Sequence, residues 1–298
     1  MRPHSASSLL SHNEGTISRL VLVTLDSCRY DTALHARTPF LDSIAELRPA
    51  RAHASFTLPA HTALFHGYPP TIVDDPNSYN PQKCSVMRLM PQYLRLNKAG
   101  SDARGTIPGD NLLDGLRRSG FRVVGGGGVR WFSTQQLRSY FDSFMYLGPN
   151  YGSDEFGLPL WEEEDFILRR SRDLSDLVGE SERWFLFINA AETHAPYMTS
   201  DMTLIEKQRR YSKFRNGKGL LPNDSNCRQL MRNLKDLQTA ALEDVDSRLQ
   251  TLFERLARPF HFMITADHGE CFGEDELWGH VFSHPTVLNI PMWEGYFE

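Results

Sequence analysis

The chain has 298 residues, 40% of them hydrophobic and 23% charged, with a formal charge of −5 and a pI near 6.1. That length and apolar share suffice for one large α/β core. The acidic balance excludes the broad basic surface that nucleic acid or an anionic membrane rewards, and no apolar run reaches membrane-spanning length. Cys28, Cys84, Cys227 and Cys271 stand without CxxC spacing, so neither a zinc knuckle nor a disulfide framework is expected and a reducing cytoplasm fits best.

Residues 1–17 are polar, lack the apolar stretch of a signal peptide and are expected to be flexible; residues 18–298 are expected to form a single domain. "RLVLVTLD" (19–26) has the β-branched, apolar character of a buried strand, and "TPFLDSIAEL" (38–47) has helical periodicity. In "SFTLPAHTALFHG", Pro59 falls in the first turn of a predicted helix, with Thr57 at its start. The stretch at 68–108 is long, polar and rich in turn formers, which makes it a candidate substrate lid.

Beyond it, a helix is predicted over 109–120, a strand over 121–126, a helix over 162–178, a strand over 184–190, a long helix over 227–257 and a strand over 260–267. Such alternation predicts a mostly parallel sheet with helices on both faces, and its chemistry belongs at the carboxyl ends of the strands. The glycine run at 125–128 lacks the third spaced glycine of a dinucleotide fingerprint and is expected to let backbone pass close to a neighbouring strand or to the site.

Asp26 closes the first strand and Asp267-His268 the last long one. A lone strand-terminal Asp is often just a helix cap. Two carboxylates and an imidazole together make an oxygen and nitrogen set suited to Zn²⁺ or Mn²⁺ more than to Ca²⁺. Thr57 reads either as a cap or as a hydroxyl where backbone N–H groups favour an anion, and a bound divalent metal would lower its pKa enough for attack.

The segments "LVTLDSCRYDT", "TPFLDSIA", "SFTLPAHTALFHG", "FLFINAAETHAPY" and "TADHGECFGEDELWGH" span nearly the whole chain. In content and order they resemble the alkaline phosphatase and sulfatase superfamily, in particular a compact bacterial branch of it. The resemblance implies an α/β, alkaline-phosphatase-like central sheet between helices, without the usual C-terminal sulfatase subdomain. It implies a metal ion, zinc or manganese on this donor set, held by Asp26, Thr57, Asp267 and His268, with Thr57 as the nucleophile that becomes phosphorylated. It implies that His194 and His280 act on the phosphoryl group or its leaving oxygen, or hold a second metal; Glu192 would share a face with His194 on a strand-like extension, and His284 with His280 if that segment is helical, which makes both candidates for that second ion.

Arg29 is similar to an Arg in the first motif of many relatives and could fork onto a phosphate or sulfate, but pairing with a local carboxylate such as Asp31 is the preferred expectation. His61 and His66 read as packing or surface residues. Sulfatases proper place a Cys, then x-Pro-Ser-Arg, where this chain has "TLPAH", so the formylglycine route is closed to Thr57. The expected activity is therefore hydrolysis of a small phosphomonoester or phosphodiester through a phosphothreonine. A phospho- or sulfo-transferase, a sulfatase-like hydrolase without formylglycine and a non-catalytic metal-binding module remain open, as do substrate identity and oligomeric state.

Overall fold

The structure, a computed structural model, describes residues 17–67, 110–133, 135–148, 150–153, 159–160, 166–195, 197 and 225–298. The candidate lid at 68–108 and the N-terminal segment before residue 17 lie outside the described residues. The strands are β1 (Arg19–Leu25), β2 (Arg48–Arg51), β3 (Arg122–Gly127), β4 (Ser143–Tyr146), β5 (Asn150–Ser153), β6 (Pro159–Leu160), β7 (Trp184–Ala190), β8 (Phe260–Ala266), β9 (Cys271–Phe272), β10 (Trp278–Gly279) and β11 (Asn289–Phe297). Seven of them form one sheet in the order β2-β11-β8-β1-β7-β3-β4. β8, β1, β7, β3 and β4 run parallel, and β11 lies antiparallel between β8 and β2.

Helices α1 (Tyr30–His35), α2 (Pro39–Ile44), α3 (Thr57–His66), α4 (Leu112–Arg118), α5 (Ser171–Val178), α6 (Ser225–Arg255) and α7 (Pro285–Leu288) connect and cover the strands. The period of two along a strand sorts the core into two layers. Val21, Val23 and Leu25 of β1 and Leu186 and Ile188 of β7 pack with Leu242, Leu249 and Phe253 of α6 and Leu174 of α5. Leu22 of β1 and Phe185 and Phe187 of β7 face the other way, against Leu58, Ala63 and Phe65 of α3 and Leu113 of α4. This is the alkaline-phosphatase-like α/β sandwich that the sequence predicts.

The glycine run meets the expectation only at its last position. Gly125 and Gly126 lie inside β3, and a Cβ at Gly126 would stand 2.7 Å from the Leu174 side chain. These two glycines admit side chains of the covering layers; close approach of backbone arises at Gly128, where a Cβ would meet the Leu147 carbonyl at 2.9 Å. Among the described residues no helix is long and apolar enough to cross a membrane.

Candidate metal centre

Register brings the acids together. Leu25 pairs with Ala266 across β1 and β8 and with Ala190 across β1 and β7, so Asp26 and Asp267 leave adjacent parallel strands at the same level. Parallel neighbours are about 4.8 Å apart, which sets the two carboxylates side by side. The alternation that directs Leu22 and Phe187 toward α3 also directs Thr24, Asp26 and Asn189 there. Thr57, the first residue of α3, meets them, its Oγ1 donating to Asp26 Oδ2 at 3.3 Å.

Asp26, Asp267 and His268 are buried, and one ligand atom from each lies within 4.8 Å of the others. His268 Nδ1 sits 2.9 Å from the Gly269 carbonyl, which places the ring proton on Nδ1 and leaves the Nε2 lone pair free. That Nε2 is 3.4 Å from Asp267 Oδ2 and 3.9 Å from Asp26 Oδ1. In this tautomer the imidazole puts no proton between them, and both Nε2 and Asp267 Oδ2 are buried without a hydrogen-bond partner. Buried acceptors facing one another are costly unless a cation serves them. The donor set therefore fits a divalent metal.

The protonation pattern agrees. Burial, and then the Asp26 charge, push the Asp267 carboxyl well above its usual range. For Asp26, burial is outweighed by His194, His268, His61 and the Asn189 amide, so its carboxyl is held below the usual value. Burial, with His280 next, drives the His268 imidazole down to about 3 and keeps it neutral. The two carboxyls are thus shifted in opposite directions, and a cation that binds them competes with the proton that burial favours on Asp267.

Two backbone kinks aim groups at this cluster. Ser27 has φ 60 and points its N–H at Asp267 Oδ1 over 3.2 Å, and Val281, next to His280, has φ 84 and bonds to the Ser55 carbonyl at 2.9 Å. Positive φ in a β-branched residue is strained and is tolerated where surrounding contacts over-determine the backbone.

His280 and His194 border the cluster, with ring centroids 4.5 Å from His268 to His280 and 5.5 Å from His280 to His194. Arg29, by contrast, is turned to structural partners. It forks onto Asp31 at 2.7 and 2.8 Å and donates to Glu274 at 2.7 Å and to the Glu270 carbonyl at 3.1 Å.

Glu192 does not share a face with His194. Ala191–Thr193 turn as a 3-10 helix directly after β7, so the alternation of a strand stops and Glu192 Oε1 accepts the Leu168 N–H at 2.8 Å. His284 also faces elsewhere, because 280–284 is not helical: it caps α7 through Thr286 N and contacts Cys271 Sγ at 3.3 Å and Asp275 at 3.1 Å.

Several polar residues around the cluster carry no strand-end or spacing signal of their own. Glu270 accepts from Tyr197 at 3.0 Å and approaches His280 Nδ1 at 3.5 Å; it follows the Asp-His pair by two positions, which is the one hint the sequence offered. Gln238, midway along α6, donates to the Ser27 and Thr193 carbonyls, and Thr193 in turn donates to the Asp26 carbonyl at 2.8 Å. A polar residue in an amphipathic helix gives no sequence sign of such a role.

Burial pushes the Glu192 carboxyl up to about 7, from an ordinary 4.5. Between those two values the folded state holds more protons than the unfolded one, so stability falls as pH rises through that window. Glu192→Gln removes the ionisation. At pH 8 it is expected to melt above the wild type, by a margin on the order of 3 kcal/mol that closes at pH 4. Thermal melts at the two pH values check this, and an equal margin at both would show that Glu192 does not ionise in that window.

A parallel sheet with two acids, an imidazole and a hydroxyl at its carboxyl edge is the architecture of the alkaline phosphatase superfamily. The Sulfatase family profile matches residues 19–296, and the chain belongs to that family of phosphoryl- and sulfuryl-processing enzymes. No curated protein matches the sequence. Among solved structures, the soluble domain of lipooligosaccharide phosphoethanolamine transferase A from Neisseria meningitidis is similar, with a TM-score of 0.55 at 16% identity over 96% of this chain and 79% of that one. The chain spans about half of the integral membrane form of that transferase, 49% at 17% identity, 96% of this chain and a TM-score of 0.55. A protein in the alkaline phosphatase superfamily from Vibrio parahaemolyticus gives 0.53 at 16% identity, 96% and 62% coverage. Phosphonate monoester hydrolase of Agrobacterium radiobacter gives 0.55 at 13% identity, 93% and 68% coverage. At these identities the likeness is one of fold.

Proposed function

We propose that this chain is a metal-dependent phosphoryl-transfer enzyme that acts on a small phosphomonoester or phosphodiester through a phosphothreonine at Thr57. The observation that supports this reading best is the hydroxyl of Thr57 on Asp26, beside two buried acceptors, Asp267 Oδ2 and His268 Nε2, that have no partner. Asp26, Asp267, His268 and Thr57 would hold the ion, zinc before manganese on this oxygen and nitrogen set. A bound divalent cation supplies a lowered hydroxyl pKa and polarises a phosphoryl oxygen.

The chain's own groups do the rest. Thr57 already directs its proton at Asp26, and its Oγ1 forms the new bond to phosphorus as the bond to the leaving alkoxide breaks. His280 and His194 border the cluster and would give that alkoxide its proton. Water, or an acceptor alcohol, then releases the phosphoryl group. Transfer to an acceptor is the second reading, favoured by the similarity in fold to a phosphoethanolamine transferase.

The test is chemical trapping. Zinc-loaded protein is mixed with bis(4-nitrophenyl) phosphate, quenched in acid and digested, and the peptide that spans Thr57 is expected to carry the added phosphoryl group by mass spectrometry. Nitrophenol release with the label on another residue, or with no label in rapid-quench samples, would rule the intermediate out.

A further inference from the structure

A closed loop of hydrogen bonds lies behind the nucleophile. His61 Nδ1 is 2.8 Å from the Thr57 carbonyl, which fixes the ring proton there, and His61 Nε2 is 2.8 Å from Thr24 Oγ1. Asn189 Nδ2 reaches both Thr24 Oγ1, at 3.3 Å, and Asp26 Oδ2, at 3.2 Å. The Thr57 hydroxyl on that same Asp26 oxygen completes the circuit. Thr24, Asp26, Thr57, His61 and Asn189 are all buried.

The start of α3 needs such a device. Its N-cap is Phe56, which makes no side-chain cap bond, so no cap side chain fixes the first turn at Thr57. The imidazole one turn further on donates its Nδ1 proton to the Thr57 carbonyl, which does not cap the helix but ties the Thr57 main chain to the loop. Edge-on contacts to Phe132 at 5.0 Å and Phe187 at 5.6 Å keep the ring in place.

We infer that His61, its Nδ1 proton fixed by the Thr57 carbonyl and its Nε2 backed by Thr24, which Asn189 holds in turn, is the positioning residue of Thr57, and that it keeps the Thr57 hydroxyl aligned with Asp26. This rests on Thr57 being the nucleophile, as proposed above. His61 does not touch the reacting atoms; it acts through the Thr57 main chain. Supporting hydrogen bonds of this kind commonly govern how well a ligand or nucleophile is oriented.

Three full-length variants test it. His61→Asn retains an N–H where Nδ1 stands, His61→Gln retains the link to Thr24 alone, and His61→Phe fills the aromatic box with neither. With bis(4-nitrophenyl) phosphate as probe, His61→Phe is expected to lower kcat about ten- to a hundredfold with KM and bound zinc unchanged. His61→Asn should recover most of kcat and His61→Gln little.

A second readout needs no turnover. Three-bond NMR couplings to the Thr57 methyl should report one χ1 rotamer in the wild type and in His61→Asn, and an average of rotamers in His61→Phe. Unchanged couplings and kcat in a folded His61→Phe would overturn the inference, as would equal losses in all three variants. Averaged couplings with unlabelled Thr57 in the trapping experiment would instead leave the positioning intact and remove the proposed nucleophile.

Discussion

Thr57→Ala is expected to abolish turnover, by a factor on the order of ten thousand or more, while leaving most of the bound metal in place. The two effects separate because three of the four proposed ligands, Asp26, Asp267 and His268, converge without Thr57. Removal of the hydroxyl also leaves Asp26 well served, since Asn189 and Ser27 both still donate to it, at 3.2 and 3.3 Å. The fold should therefore tolerate the change, and thermal melting should move little. Thr57→Ser keeps the oxygen and should retain measurable activity. Nitrophenol release, read beside zinc content by atomic absorption, decides the matter: an alanine variant with wild-type kcat would exclude a covalent route through this residue.

Asp267→Asn should produce opposite effects with and without metal. In the metal-free protein the Asp267 carboxyl is raised by burial and by the neighbouring Asp26 charge. A group with a raised folded value holds its proton in the folded state after the unfolded chain has lost it, so the wild type loses stability as pH rises from about 4 upward. The amide has nothing to ionise. At pH 8 the metal-free Asp267→Asn protein should accordingly melt higher than the metal-free wild type.

Zinc should invert that order. At a hundred times its dissociation constant it adds about 2.7 kcal/mol to a protein that binds it only when folded. The variant, deprived of one anionic ligand, should gain little and should retain less than a tenth of the equimolar zinc expected of the wild type. Melting curves with and without chelator supply the comparison. A variant that kept full zinc, or that melted below the wild type when stripped, would contradict this account of the site.

The sequence revealed these features unevenly. Strands buried on both faces announced themselves: "WFLFINA" became β7 without a residue of difference, and "RLVLVTLD" and "FHFMITAD" each gave up only their terminal Asp, which belongs to the site. The edge of the sheet was silent. β2 is "RPAR" and β11 is "NIPMWEGYF", with proline or glycine where a strand pattern should be strongest, and their pairing, Asn289 with Arg51 through Met292 with Arg48, is decided by tertiary contact rather than by local preference.

The same division holds at the site. Asp26, Asp267 and His268 were legible because strand ends of a parallel sheet are where such groups converge. Glu192 was misjudged for a local reason, the 3-10 turn that follows β7 and destroys strand parity within two residues. His61 looked like packing and does pack, yet each of its ring nitrogens is also committed to a partner that only the fold supplies.

Arg29 sets a condition on how this molecule is loaded. Its guanidinium is committed to Asp31, Glu274 and the Glu270 carbonyl, so it has little attraction left for an incoming anion. A phosphate ester that approaches the buried Asp26 carboxylate before any counter-charge has arrived meets repulsion. Under the proposed function, the inorganic ion is therefore expected to load first and the ester second, so that raising the ester alone leaves the metal-free protein idle.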